Sequence, residues 1–252
     1  MPLSGVKNRL RERFVEVNFF LNHITSLEPN DPRTATSLEV KVMRGLFHVH
    51  LYGAFEKTVN DLVQSMLILL SSKSIKNRHY SPPLLSLVLC DQVKSLKDTS
   101  YSNLINRSAD LFVISSTEQV MAVSETAMSG SLQNIWMRVI DEIIKAFGLQ
   151  NLNFNPREIA TVNEIVDKRN AVAHGRENAS TVGERHNSAV LRQKMEIVIS
   201  VANSLISAFE QWYENKSFLL ESARSEYCKA ICFLPKYARK QAPTLSKNAE
   251  TY

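Results

Sequence analysis

Apolar residues return every three or four positions along most of this chain, the mark of helices with one buried face. Val6, Leu10, Phe14, Val17, Leu21 and Ile24 form the first such stripe. It predicts a helix over 6–27, stopped by Glu28-Pro29-Asn30-Asp31-Pro32. A second helix is predicted from Thr36 or Ser37, with Glu39 placed early, where the helix dipole favours an acid. Val42, Leu46, Val49, Tyr52, Phe55, Val59, Leu62, Met66 and Leu69 carry its period to about Ser72. Such a length reads as the spine of a bundle, one that can reach a partner subunit. Gly45 and Gly53 lie inside it. Each costs about 1 kcal/mol relative to Ala, which points to close helix packing at those turns.

Ser81-Pro82-Pro83 opens a short helix over 84–96. Residues 98–131 break the pattern, being rich in Ser, Thr and Asn, with two β-leaning pieces at 111–114 and 120–123. They read as an irregular insertion with room for a small β-hairpin. Helical spacing returns in Leu132, Ile135, Val139, Ile143 and Phe147, with Gly148 as a stop. Asn155-Pro156 begins another helix, through Ile159, Val162, Ile165, Val166 and Val172, which ends at Gly175. A polar loop to Asn187 leads into a last helix marked by Val190, Ile197, Val201, Leu205, Phe209, Trp212 and Leu219 and expected to run to about Cys232. The fold class is therefore all-α, a bundle of about six helices. Residues 1–235 form a single domain, and the basic, polar residues 236–252 form a frayed, disordered tail.

Composition changes little in that picture. The chain has 252 residues, 44% hydrophobic and 22% charged, an ordinary globular balance that can bury a sizeable core. Thirty Lys and Arg against 25 Asp and Glu leave a formal charge of +5, which permits an anionic partner without requiring one. Cys90, Cys228 and Cys232 cannot all pair internally, so a reducing cytoplasm is expected. Cys228 and Cys232 sit one helical turn apart, but no further ligands stand at zinc spacing. No metal and no cofactor is expected. The first 14 residues lack the apolar core of a signal peptide, and the longest apolar run, 66–70, is far too short to span a bilayer. No membrane partner is expected.

The usual enzyme signatures are missing: no GxxxxGK[ST], GxGxxG, GxSxG, HExxH or paired CxxC. What stands out is Asp167-Lys168-Arg169-Asn170-Ala171-Val172-Ala173-His174-Gly175 at the end of an otherwise apolar helix. Asn170 and His174 are one turn apart and share a face. Arg169 lies about 100° around from Asn170, within reach of the same groove. These residue types suit cleavage of RNA by its own 2′-hydroxyl. A proton must leave that hydroxyl, another must reach the departing 5′-oxygen, and charge on phosphorus must be stabilised. Histidine as a residue type can transfer protons near neutral pH, Arg169 offers two parallel donors to phosphate oxygens, and Asn170 can donate to the phosphate or hold the imidazole. Lys168 and Arg176 add positive charge for a polyanion. A two-fold homodimer would bring two histidines to one cleft. Arg44 and His50 repeat the Arg-x5-His spacing within the long helix, but their surroundings read as core. His48 and His50 read as structural and His186 as solvated. Trp212 and Tyr213 read as core or dimer contacts.

The string DKRNAVAHG resembles the R-x(4–6)-H signature of the HEPN superfamily, with the commonly polar residue after the Arg supplied by Asn170. His48 to Leu70 is similar to the aromatic-x-x-x-Glu long helix of the stand-alone MAE-like HEPN proteins, with Glu56 in the acidic place. Residues 131–149 resemble the helix before the motif in that group. The likeness covers about 36–220 and is thin over 98–130. It implies a HEPN-type helical bundle and a metal-independent, homodimeric endoribonuclease, of a kind many of whose members are bacterial toxins or antiphage defence effectors acting with an antitoxin or defence partner protein. It also implies Arg169, Asn170 and His174 as catalytic residues. Glu56 would orient Arg169 or His174, unless it is simply an exposed salt-bridge partner. Toxins paired with a nucleotidyltransferase antitoxin often carry Tyr two residues after the His; this chain has Arg176 there. The alternative is a non-catalytic HEPN module that holds RNA, a nucleotide or a protein.

Overall fold

A computed structural model describes residues 2–31, 33–150 and 152–227; Cys228, Cys232 and the tail 236–252 lie outside the described residues. The first stripe forms α1 (Ser4–Leu27), and all six of its predicted apolar residues are buried. The long run forms α2 (Leu38–Ser71), capped by the Ser37 hydroxyl, which accepts from the Val40 amide. Then follow α3 (Pro82–Val88), α4 (Cys90–Lys97), α5 (Tyr101–Ser115), α6 (Met137–Phe147), α7 (Pro156–Ala173), α8 (Ala179–Glu184) and α9 (Ser188–Glu214). Among the described residues there are nine α-helices and no strand. None of these helices is long and apolar enough to cross a membrane.

The spine is covered from several sides at once: α1, α7, α8 and α9 all pack on α2. A helix buried around most of its circumference has no single stripe. This is why the expected stripe drifts at its start, where Leu46 is exposed while Phe47 and His48 are fully buried. Close approach occurs at Gly45, where an added Cβ would lie 2.0 Å from the Ala179 carbonyl oxygen. Its counterpart on α8 is Gly183, whose Cβ would lie 1.8 Å from the Lys41 carbonyl oxygen. Gly53 faces open space and serves no such contact.

Four stretches depart from expectation. The single helix expected over 84–96 is broken at Leu89 into α3 and α4. Residues 98–131 are not an irregular or hairpin insertion over their first half. Tyr101–Ser115 is helical, with Leu104, Leu111 and Ile114 half-buried, and Val120 makes only an isolated bridge to Lys76. Packing of those three side chains outweighs the weak helix propensity of the Ser and Asn between them. The polar loop after Gly175 contains α8, which its two small residues at the α2 crossing allow to dock. The last helix stops at Glu214 instead of continuing toward Cys232. Lys216 takes a left-handed φ of 51°, and Phe218 folds back to 5.6 Å from Trp212, ring to ring. Phe209 and Trp212 stack edge-on against Phe147 at 4.8 and 5.6 Å. They are therefore core residues and do not extend beyond the bundle.

The helix that carries the motif is fixed at both ends. Asn155 and Glu158 form a capping box, with Glu158 N donating to Asn155 Oδ1 at 3.0 Å and Asn155 N to Glu158 Oε2 at 2.9 Å. At the other end Gly175 has φ +67°, Arg176 N donates to Ala171 O at 2.8 Å and Gly175 N to Val172 O at 3.2 Å. This is a Schellman closure, and it sets His174 at the helix cap.

Candidate active site

The last turn of α7 places Arg169 against α2. Its guanidinium lies over the Tyr52 ring, with Cζ 4.6 Å from the centroid, a cation–π geometry. Nη1 donates to Asn170 Oδ1 at 2.7 Å and to Asn134 Oδ1 at 3.3 Å, and Nη2 is 3.8 Å from Glu56 Oε2. Tyr52, one turn before Glu56, donates its hydroxyl to Glu56 Oε1 at 2.9 Å and accepts from the Ile135 amide at 2.9 Å. Burial, reinforced by the bond to Glu56, holds the Tyr52 phenol well above its ordinary range, so it stays protonated and keeps donating. Ile135 and Asn134 lie on the segment entering α6. Three parts of the chain thus orient one arginine.

Of the expected site residues, Arg169, Asn170 and Glu56 come together directly. Glu56 is half-buried beside Arg169, not on the open surface. Asn170 turns its carbonyl oxygen to Arg169, which leaves the amide NH₂ for another acceptor; no side-chain bond joins it to His174. The His174 imidazole is exposed at the helix cap, and among the described residues its side chain has no hydrogen-bond partner. Lys168 and Arg176 flank the site but are matched by acids. Lys168 Nζ lies 3.5 Å from Asp167 and 3.8 Å from Glu177, Arg176 lies 3.5 Å from Asp167, and Arg185 pairs with Glu177. The local charge is therefore closer to balance than the sequence indicates. Asn134 and Asp167 were not expected. Asn134 carries no motif and reaches the site only through the fold, whereas Tyr52 was the aromatic of the aromatic-x-x-x-Glu pattern.

Behind the motif helix lies a second polar group. His48 is completely buried on α2, its Nδ1 donating to Arg44 O at 3.2 Å while Nε2 has no partner among the described residues. Its ring is 6.2 Å from that of His186, which lies 3.6 Å from Glu164 Oε1; Glu164 also pairs with Lys194. His186 is thus half-buried, not solvated. Arg44 pairs with Glu28 at 2.7 Å, and Glu28 also accepts from Ser188. These contacts are structural, as read for Arg44 and His48. Burial, assisted by the nearby His186 and Lys194 charges, pushes the His48 imidazole down to about 4. The unfolded chain then binds more protons than the fold between that value and the ordinary histidine value. The stabilising neutral state is fully present above about pH 6.5 and is lost as pH falls toward 4. Stability should fall by about 2 kcal/mol between pH 7.5 and pH 5 from this group. Urea unfolding at the two pH values measures it, and His48→Gln should flatten the slope; an unchanged slope in that variant would show that the loss arises elsewhere.

Among the described residues no cluster of three or more His, Cys, Asp or Glu side chains is arranged to hold a metal ion. The model of the RiboL-PSP-HEPN family matches residues 8–215. The chain belongs to this HEPN family. The match spans all nine helices and both walls of the Arg169 site. It names the RiboL-PSP branch of the superfamily, and the finer MAE-like likeness plays no part in the assignment. Nothing among curated proteins or solved structures matches this HEPN chain.

Proposed function

We propose that this HEPN protein is an endoribonuclease that cuts RNA by attack of the 2′-hydroxyl on the adjacent phosphate, without a metal. HEPN membership points to a ribonuclease or another RNA-related role. The observation that supports the finer reading is the presence, at the end of one helix, of a firmly held Arg169 and an exposed His174 whose side chain has no partner among the described residues. Arg169 would receive the phosphate on its outward donors and stabilise charge as it grows on the non-bridging oxygens. The Asn170 NH₂ would donate to the same phosphate. His174 would take the proton from the 2′-hydroxyl or deliver one to the 5′-oxygen. A two-fold homodimer would supply the second histidine, and an RNA-cleaving toxin or defence effector held by a partner protein is the biological setting proposed.

One observation favours a binding module instead. Arg169 already spends two donor contacts on Asn170 and Asn134 and faces Glu56, which is a structural way to hold an arginine. The experiment that separates the readings is incubation of the purified protein with total RNA and with transfer RNA in EDTA. We expect cleavage to persist and to leave a 2′,3′-cyclic phosphate or 3′-phosphate, with 2′-O-methyl RNA and DNA resistant. Activity lost in EDTA and restored by Mg²⁺ or Mn²⁺ would refute the mechanism, and retention of RNA without any cut would establish the binding module.

A further inference from the structure

Beside the Arg169 site a groove of about 540 Å³ runs between α2 and the segment before α6. One wall is Glu56, Asn60 and Gln64, spaced four apart along α2; the other includes Glu125 and Gln133, with Leu132 among the apolar lining. The groove and the Arg169 site share a wall, because Glu56 belongs to both and Gln133 adjoins Asn134. Asn60 lines it, and the Asn60 Oδ1, shielded from solvent, has no hydrogen-bond partner among the described residues. An unpaired buried acceptor is costly, so this one is disposed to take a donor from a ligand.

We infer that this groove is a nucleobase subsite, selective for a base carrying an exocyclic amino group, beside the scissile phosphate. The inference rests on the RNA reading above. Lys57 also lines the groove but is paired with Asp61 at 3.1 Å; Glu56 and Glu125 would repel a phosphate, so the groove suits the uncharged part of a nucleotide. Its amides and acids offer hydrogen bonds to a base edge, and Leu132 offers an apolar contact for the ring. Single-stranded RNA is recognised in this way, with an unstacked base read along its edge. The amino groups of cytosine N4 and adenine N6 are donors that Asn60 Oδ1 lacks. Uracil puts a carbonyl where cytosine has its amino group, and that oxygen would meet an acceptor.

Cytosine and uracil are the closest pair, differing only along the C4–N3 edge, where cytosine carries an amino donor and a ring acceptor and uracil a carbonyl and an N–H donor. Binding of short 2′-O-methyl oligocytidine and oligouridine, followed by fluorescence anisotropy, reads the subsite without any cleavage. The wild-type protein should bind the cytidine oligomer about three- to tenfold more tightly, the range of one good hydrogen bond. Asn60→Leu should remove the difference with its melting unchanged, and Asn60→Asp, which keeps an acceptor, should retain it. Gln133→Ala, at an exposed position, should weaken cytidine binding about two- to threefold even if Asn60→Leu fails to fold. Equal affinity for the two oligomers, or a preference that survives Asn60→Leu, would overturn the subsite while cleavage of natural RNA left the ribonuclease reading standing. No binding to either oligomer together with no cleavage would overturn both.

Discussion

His174→Ala should lower RNA cleavage by about 10²- to 10⁴-fold, the usual contribution of a proton-transfer group, and leave the fold nearly untouched. The imidazole is exposed at the cap of α7 and bonds to no described side chain, so its removal opens no cavity. The helix end is closed by the backbone of Gly175 and Arg176, which the substitution does not alter. Arg169→Ala should behave differently, lowering both RNA binding and turnover and also costing stability, because it removes the cation facing Glu56, the donor to Asn134 and the guanidinium over the Tyr52 ring. Mixing the two inactive chains provides the test of a shared site. Recovery of activity on mixing supports a dimer in which each protomer supplies one competent group, whereas a strictly monomeric active protein excludes it. The surface for such a dimer must come from side chains other than Phe209 and Trp212; Val15 and Phe19 on α1 and Tyr101, Ile105 and Phe112 on α5 are exposed. Full cleavage by His174→Ala would end the catalytic reading.

The other large effect is expected at the crossing of α8 over α2. Gly183→Val should destabilise the protein by about 3 kcal/mol or more, as overpacking does where nothing can yield. The added carbon would meet the backbone of α2 at Lys41 and Gly45, and the reverse contact at Gly45 is with the backbone of α8 at Ala179. Neither side has a flexible side chain to move, so the helices must separate. For a chain of this size the cost corresponds to roughly 6–12 °C in melting temperature. Gly53→Ala is the matched control: it sits in the same helix facing open space, and should raise stability by up to about 1 kcal/mol. Calorimetry on the two variants decides the matter. A Gly183→Val protein that melts like the wild type would mean that α8 is not seated on α2.

Much of this architecture was legible where one helix face is buried and the other wet. The α1 stripe and the caps at Ser37, Asn155 and Gly148 fall where spacing and end signals put them. The reading failed where burial is not one-sided. Leu46 looked like a core position because a single stripe was assumed for α2. α5 looked irregular because its inward side chains are few and only half-buried, and α8 was too short to show a period. The site was legible in part: Arg169, Asn170, His174 and Glu56 were visible as a motif with its acidic partner. The amide of Asn134 was not, since nothing local marks a loop residue that the fold delivers to an arginine on another helix. The same blindness hid the balance of charge, because Asp167 and Glu177 offset Lys168, Arg176 and Arg185 only once the helix end has turned back.

The central place of α2 also has a meaning in time. Glu56 and Arg169 are about 110 residues apart, roughly 5 to 20 seconds of translation at 5–20 residues per second. When α2 leaves the ribosome, only α1 has been made to cover it; α7, α8 and α9 are still unmade. The apolar spine therefore waits half-clothed in the nascent chain, open to chaperones or to a cognate protein that binds early. By the same ordering, no truncated product ending before α7 can contain a formed Arg169 centre. A nascent chain acquires this centre only once α7 has been made.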